Sequence, residues 1–312
     1  MLINQALAIT FAALASSQNI GSGCTSVELR REWRQLSSEE QRNYIDAVQC
    51  LTTKESRIGL TTSLYDDFPY VHNALNKEIH LVASFLPWHR FFIMVYEEAL
   101  RECGYQGSAT YWDWVFDSSD TAHSPLWDAA TGFGGNGGLY NRSRLGCVSD
   151  GPFKDFRPAY KRNKLQPHCL SRDFNNGTQH PGDMSGPNYD DAAIRRVQAA
   201  DNYNSYRKRL EGGPHFAIHR AIGGDMVPAT SPNDPIFFLH HGQIDRLWYL
   251  WQQDDPERRD AEYSGIRTQN EFDGTAPPQA SVDDILPMYG LAEDMPVSDF
   301  LSTQNGLLCY QY

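Results

Sequence analysis

The sequence predicts a mainly α-helical protein, with a helical bundle as its core, long irregular loops and little β-structure. Apolar residues recur at helical spacing in several stretches of the chain. Between these stretches, runs such as Gly132-Phe-Gly-Gly-Asn-Gly-Gly138 and scattered prolines predict a long irregular region. With 312 residues and a hydrophobic fraction of 40%, the chain is long and apolar enough to bury a core. We expect a single folded domain over residues 19–312.

The helical stretches carry local signals at their ends. In the first, Ser37 and Glu40 have the spacing of a capping box, which marks a helix N terminus. Pro214 follows two glycines and is suited to the first turn of a new helix. In chain order, the predicted stretches cover residues 26–51, 89–102 and 190–211, a segment after Pro214, and a helix that begins near His240.

Charge and hydropathy each argue against one class of partner. Lys and Arg number 27 against 39 Asp and Glu, which gives a net charge of −12. A nucleic-acid backbone needs clustered positive charge, so we expect no nucleic-acid partner. The only long apolar stretch lies at the N terminus, which excludes a multi-span membrane protein, and we expect no membrane partner.

Residues 1–18 are predicted to be a signal peptide. The apolar run from Ala6 to Ala15 is too short to span a bilayer and contains small residues suited to cleavage. An ordinary buried helix is the alternative interpretation. Glycosylation sequons at Asn141 and Asn176 favour export. We therefore expect a secreted, extracellular glycoprotein.

The cysteines support the same conclusion. There are six of them, an even number that fits three disulfide bonds in an oxidising compartment. The sequence alone leaves the connectivity open. We favour Cys24–Cys309, which would tie the ends of the chain together, while Cys147–Cys169 could close the irregular middle.

Seven of the ten histidines fall into two groups, His72, His80 and His89 in one, and His215, His219, His240 and His241 in the other. His215 and His219 are four residues apart, which places both imidazoles on one helix face, as a shared metal ion requires. Residues 216–218 are Phe-Ala-Ile, so the glutamate of a zinc-protease motif is missing. Ordinary core or surface histidines are the alternative. Imidazole suits copper, zinc, iron and nickel, so the ligand type leaves the metal open.

A carboxylate accompanies the second group. Asp245 follows His241 by one helical turn. A carboxylate at this spacing could accept the second ring N–H of a ligand histidine and fix its tautomer.

Three segments carry a resemblance to a known family. They are His80-Leu-Val-Ala-Ser-Phe-Leu-Pro-Trp-His89-Arg90, Tyr111-Trp-Asp-Trp114, and Ser231-Pro-Asn-Asp-Pro-Ile-Phe-Phe-Leu-His-His241-Gly-Gln-Ile-Asp-Arg-Leu-Trp248. They resemble the tyrosinase and catechol oxidase family of type 3 dicopper polyphenol oxidases. The closing Tyr310-Gln-Tyr312 is similar to that family's tyrosine motif, so the resemblance spans roughly residues 26–312. The chain looks most like the short, secreted fungal members.

The resemblance implies that the helical core holds two copper ions. By position, the implied ligands of one copper are His72, His80 and His89, and those of the other are His215, His219 and His241. His240 matches a family histidine that is not a ligand. The resemblance also implies that Phe237 packs over the copper pair and that Asp245 accepts a hydrogen bond beside it. The histidines that match nothing, and that we expect to be loop residues, are His123, His168 and His180.

The sequence departs from the family pattern beside the second copper. Many tyrosinases have an asparagine directly after the first histidine of this site, which with a nearby glutamate is proposed to orient a water that deprotonates a monophenol. Phe216 stands in its place, and Arg220 follows the second histidine, where it could narrow or charge the entrance. Tyr206 and Arg207 occupy the positions where the glutamate often lies, and the neighbouring Glu211 could substitute for it.

These features together predict a secreted copper oxidase. Its partners would be O2 and a small phenol, and it would oxidise ortho-diphenols, or related ortho-aminophenols and methoxyphenols, to quinone products. A full tyrosinase, which also hydroxylates monophenols, is the alternative. A haemocyanin-like O2 carrier is a remote one, since such carriers are long chains with flanking domains. The oligomeric state stays open.

Overall fold

The computed structural model describes residues 23–138, 146–174, 184, 186–269 and 274–312. These residues are mainly helical with little strand, which confirms the predicted fold class. No helix among them is long and apolar enough to cross a membrane. The predicted signal peptide, both sequons and His180 lie outside the described residues.

The helices of the described part of the chain are α1 (Ser38–Leu51), α2 (Leu64–Ala74), α3 (Asn76–Ile79), α4 (Phe85–Glu102), α5 (Asp191–Gln198), α6 (Tyr203–Leu210), α7 (Phe216–Ile222), α8 (Ile236–Gln253) and α9 (Pro256–Arg259). A π-helical turn, Glu211–His215, joins α6 to α7. Short 3-10 turns lie at Trp33–Gln35, Thr121–His123, Pro125–Trp127, Gly224–Met226, Ser231–Asn233 and Val297–Phe300.

The strands are two residues long and form three separate pairs. β1 (Glu28–Leu29) pairs in parallel with β6 (Tyr310–Gln311). β2 (Tyr160–Lys161) pairs with β3 (Lys164–Leu165), and β4 (Ile285–Leu286) with β5 (Met295–Pro296), both antiparallel.

The capping box at the start of α1 is confirmed. Ser37 Oγ accepts a hydrogen bond from the Glu40 N–H at 3.2 Å, and the Glu40 carboxylate accepts one from the Ser37 N–H at 2.8 Å. The helix nevertheless begins at Ser38 and not near residue 26 as predicted. The preceding backbone pairs with the C-terminal segment instead, since the Glu28 N–H donates to the Cys309 carbonyl.

Other helix boundaries differ by a few residues for local reasons. α4 and α8 each begin four residues earlier than predicted. In α4, Pro87 occupies the first turn, where its missing N–H has no partner to lose. The stretch at 190–211 is divided because Asn202 caps a new helix, its side chain accepting from the Ser205 N–H at 2.9 Å.

All six cysteines are paired in disulfide bonds: Cys24–Cys309, Cys50–Cys103 and Cys147–Cys169. The favoured pairing Cys24–Cys309 and the suggested pairing Cys147–Cys169 are therefore confirmed. The first joins the segment before β1 to the segment before β6, which agrees with the pairing of these two strands. The helices α4 and α8 lie against each other at the centre of the fold and carry histidines of both groups.

Candidate metal centre

The structure gathers the seven histidines into two clusters in which every histidine is buried except the half-buried His80. Within each cluster, one ring nitrogen of every histidine lies within 4.8 Å of those of the others. The first cluster is His72 in α2, His80 just after α3 and His89 in α4, and the second is His215 in the π-helical turn, His219 in α7, and His240 and His241 in α8. The clusters touch, because the rings of His89 and His241 stack with centroids 4.3 Å apart.

Five of these histidines are held in one tautomer by main-chain carbonyls. A carbonyl oxygen only accepts hydrogen bonds, so each Nδ1 must carry a proton, and in the neutral ring Nε2 then carries the lone pair. The pairs are His72 with Ala229 at 2.6 Å, His80 with Asn76 at 3.2 Å, His89 with Phe85 at 2.7 Å, His215 with Glu211 at 3.2 Å, and His219 with Met226 at 2.6 Å. This arrangement orients imidazoles for metal binding.

The Nε2 atoms that face each other need a cation between them. His72 Nε2 and His89 Nε2 are 3.3 Å apart, and with both protons on Nδ1 this brings two lone pairs together. In the second cluster, Nε2 of His215, His219 and His241 is buried with no hydrogen-bond partner among the described residues. Such orphaned acceptors are costly unless a ligand satisfies them. The residues present therefore fit two imidazole-bound metal ions.

The electrostatics agree with that fit. Burial lowers the pKa of each clustered histidine, because an imidazolium is costly away from water. The pKa values of His80 and His219 fall to about 4. Those of the others are lowered well below the usual value by burial and then by neighbouring imidazoles. At neutral pH the rings are uncharged, which is the form that binds metals.

Phe237 lies across both clusters. It is fully buried, and its ring centroid is 4.1 Å from that of His241 and 5.0 Å from that of His72. The aromatic ring therefore contacts histidines of both clusters.

An open cavity of about 430 Å³ reaches the clusters from the surface. Phe216 and Arg220 both line it, so the two departures from the family pattern lie where they were expected. Its other lining residues are His72, His80, His215 and His219, the apolar or small Leu81, Val227, Pro228, Ala229 and Ser231, and the amides Asn76 and Gln269. Two larger cavities, of about 660 and 730 Å³, contain none of the seven histidines. The size and lining of the cavity of about 430 Å³ beside the histidines suit a small aromatic ligand.

The expectation that Asp245 accepts from a ligand histidine is wrong. Its carboxylate accepts hydrogen bonds from groups in distant parts of the chain instead. His241 Nδ1 has no hydrogen-bond partner among the described residues. Burial alone would raise the pKa of Asp245, but two guanidinium groups outweigh burial and lower it. Its donors are Arg90 Nε at 2.6 Å, Arg30 Nη1 at 3.3 Å, and the hydroxyls of Tyr310 and Tyr312 at 2.6 Å each. Asp245 therefore anchors the C-terminal tyrosines to α4 and α8.

Glu211 links the two clusters, which the sequence did not reveal. Its main-chain oxygen holds His215, while its carboxylate accepts from the Leu81 N–H at 2.6 Å, directly after His80. Arg207 Nη1 donates to the same carboxylate at 2.7 Å. The side chain is fully buried, and burial raises its pKa to about 7 against the opposing effect of these hydrogen bonds. The sequence marked Glu211 only as a possible substitute for the family's water-orienting glutamate and gave no sign of its contact with Leu81.

Of the remaining histidines, His168 is more than a loop residue. Its Nε2 lies 2.8 Å from the carboxylate of Asp225, which precedes the carbonyl that holds His219. Burial would lower the pKa of His168, but the hydrogen bond and charge of Asp225 raise it. His123 is exposed and lies beside Asp120, away from the clusters.

Comparisons with known proteins agree with this centre. Residues 62–254 match the common central domain of tyrosinase. The chain is 42% identical over 294 residues to the tyrosinase-like protein phomQ2 of Diaporthe leptostromiformis, covering 93% of this chain and 74% of that one. It is 39% identical to tyrosinase ustQ of Aspergillus flavus, covering 93% and 80%.

Solved structures share the fold. A polyphenol oxidase variant from Thermothelomyces thermophila superimposes with a TM-score of 0.80 at 31% identity, covering 92% of this chain and 88% of that one. A functional unit of octopus haemocyanin is similar in fold alone, with a TM-score of 0.55 at 19% identity, covering 75% and 56%. On these matches and the two histidine clusters, the chain belongs to the tyrosinase family and is an oxidase of the polyphenol oxidase type.

Proposed function

We propose that this protein is a secreted copper oxidase that uses O2 to oxidise ortho-diphenols to ortho-quinones, with ortho-aminophenols and methoxyphenols as related substrates. One observation carries the proposal. Five imidazoles in two touching clusters donate Nδ1–H to main-chain carbonyls and so keep Nε2 lone pairs for metal ions. The alternative of ordinary core histidines does not account for Nε2 atoms that are buried without partners.

The ligand sets follow from the two clusters and the family resemblance. His72, His80 and His89 would hold one copper ion, and His215, His219 and His241 the other. When bound, the two copper ions exchange the electrons that pass from the phenol to O2. The chain's own part is to keep the imidazoles neutral, fix their tautomers, and cover one side with Phe237.

The cavity supplies the binding site for the phenol. Its lining includes the apolar residues Leu81, Val227, Pro228 and Ala229 beside four of the clustered histidines, and Phe216 adds a further aromatic ring. Among the described residues, no carboxylate lines it, and Arg220 is the one lining residue with a full charge. A planar phenol therefore enters a mainly uncharged slot that ends at His72, His80, His215 and His219.

We infer that ortho-diphenols are preferred over monophenols. Hydroxylation of a monophenol requires removal of a phenol proton whose unperturbed pKa is about 10. Phe216 offers no hydrogen-bonding group to hold a water for that purpose. The Glu211 carboxylate is already bonded to Leu81 and Arg207 and does not line the cavity.

Full tyrosinase activity is the second candidate. Several relatives carry the name tyrosinase. The raised pKa of Glu211, about 7, would also suit a general base if its carboxylate gained access to the cavity. The two candidates differ in one measurable ratio, the rate with a monophenol against the rate with the matching diphenol.

Secretion is part of the proposal. The predicted signal peptide at residues 1–18, which would precede a catalytic domain over residues 19–312, and the sequons support it. The described residues add three disulfide bonds, which form and persist in oxidising compartments.

The experiment is to express the full chain, load it with copper, and follow O2 uptake with catechol, 2-aminophenol, guaiacol and tyramine. We expect rapid uptake with catechol and slow uptake with tyramine. Absence of O2 uptake with every ortho-substituted phenol by copper-loaded protein would contradict the proposal. Equal rates with tyramine and catechol would favour the full tyrosinase.

A further inference from the structure

His240 is the histidine whose role the two clusters leave unexplained. It is fully buried, lies in the second cluster, and offers a ring nitrogen as close to its neighbours as the proposed ligands do. Its ring is nearly parallel to that of His215, with centroids 5.4 Å apart. Distance alone would therefore make it a fourth ligand of the second copper.

Its hydrogen bond differs from those of the other clustered histidines. Trp114 Nε1 lies 3.2 Å from His240 Nδ1. An indole N–H is only a donor, so His240 Nδ1 must be the acceptor. A doubly protonated imidazole would bring two N–H groups together at this contact, which excludes that form. The one proton of the ring must then be on Nε2.

This tautomer is the opposite of the one found in five of the proposed ligands. In those residues Nδ1 donates to a carbonyl and Nε2 is free to bind a metal. In His240 the lone pair is engaged by Trp114, and Nε2 presents an N–H instead. That Nε2 is buried and has no hydrogen-bond partner among the described residues.

We propose that Trp114 fixes His240 as a hydrogen-bond donor to a small guest at the second cluster, and so prevents it from becoming a fourth metal ligand. The guest is an electron-rich atom, such as an oxygen of water or of a phenol, or a halide. Trp114 is then a positioning residue, because it acts on the centre only through His240. The donor role rests on the proposed copper site, whereas the tautomer does not.

The tautomer can be measured directly by NMR on the full chain labelled with ¹⁵N-histidine. The copper-loaded protein is reduced without O2, because Cu(I) is diamagnetic, and the His240 signals are identified by their loss in His240→Phe. We expect the ring proton on Nε2. A proton on Nδ1, or on both nitrogens, would overturn the proposal. If the wild-type chain binds no copper, the proposed function fails, and the same measurement on the copper-free chain still tests the tautomer.

A matched pair of tryptophan variants tests the part played by Trp114. Trp112 is equally buried and lies in the same segment, but its Nε1 donates to Asp117. We expect Trp114→Phe to release His240 into a mixture of tautomers and Trp112→Phe to leave it protonated on Nε2. A His240 that stays fully protonated on Nε2 in Trp114→Phe would refute the positioning role.

Two further measurements separate donor from ligand. His240→Phe should keep the copper content of the wild type, whereas His215→Phe should lose about half of it. Loss of copper from His240→Phe would make His240 a ligand.

Fluoride, which only accepts hydrogen bonds, should bind the oxidised His240→Phe protein about fivefold more weakly than the wild type, the effect of one typical hydrogen bond. An unchanged fluoride Kd would contradict the donor role.

Discussion

The ring of His89 lies flat against the ring of His241, with the two planes 10° apart and the centroids separated by 4.3 Å. One ring comes from α4 and the other from α8, the two helices that meet at the centre of the fold. Because each belongs to a different cluster, their contact is where the two proposed copper sites adjoin. Packing of the core therefore sets the relation between the sites.

The first prediction concerns the residue in place of the family asparagine. Phe216→Asn should raise the rate with tyramine relative to catechol by about tenfold or more, because the new amide can hold a water next to the cavity and general-base help is large. The ratio is measured by initial O2 uptake. Phe216→Leu is the control, since it makes room without adding a polar group. An equal rise in both variants would show that space, and not an ordered water, limits monophenols.

The second prediction concerns the buried pair of Arg207 and Glu211. Both side chains are almost fully buried, so Glu211→Leu leaves an unpaired guanidinium in the core and should cost about 3–5 kcal/mol in the free energy of unfolding. Glu211→Gln keeps an acceptor for the Leu81 N–H and should cost less. Urea denaturation provides the measurement.

The double variant Arg207→Met, Glu211→Leu is the control for that loss. It removes both charges and should recover part of the stability. A Glu211→Leu protein as stable as the wild type would mean that this ion pair does not hold the segment after His80.

The third prediction is a pH dependence from His168. Its folded pKa is raised by Asp225, so its contribution to stability is fully present below about 6.5, the unfolded pKa, and is lost as the pH rises through the folded pKa. His168→Gln should therefore lower the free energy of unfolding more at pH 5.5 than at pH 9, by up to about 1 kcal/mol because the pair is partly solvated. The exposed His123→Gln serves as control. Equal losses at both pH values would refute the assignment.

The fourth prediction concerns the disulfide that closes the irregular middle. Cys147 and Cys169 are separated by 22 residues, and replacing both with Ser should cost about 3 kcal/mol by the loop-entropy estimate. Denatured, unreduced wild-type protein should show no free thiol. Detection of six thiols would contradict all three bridges.

The sequence predicted those features that depend on near neighbours. The capping box of Ser37 and Glu40 and the one-turn spacing of His215 and His219 are local, and both appear in the structure. Cys24–Cys309 joins residues 285 apart and was predicted because cysteines pair with one another, but side-chain contacts without such a restriction could not be derived in this way. Asp245 lies one turn from His241 in sequence, yet its carboxylate accepts hydrogen bonds from Arg90, 155 residues away, and from the C-terminal tyrosines. The contact of Trp114 with His240 spans 126 residues.

The central claim is that two sets of three histidines each bind one copper ion. The most direct test is elemental analysis of copper in the unaltered chain and in His89→Ala and His241→Ala, with His123→Ala as the exposed control. We expect two copper ions per chain in the wild type and the control, and about one in each of the other variants, because a site left with two imidazoles binds copper weakly. Two copper ions retained in both His89→Ala and His241→Ala would contradict the account.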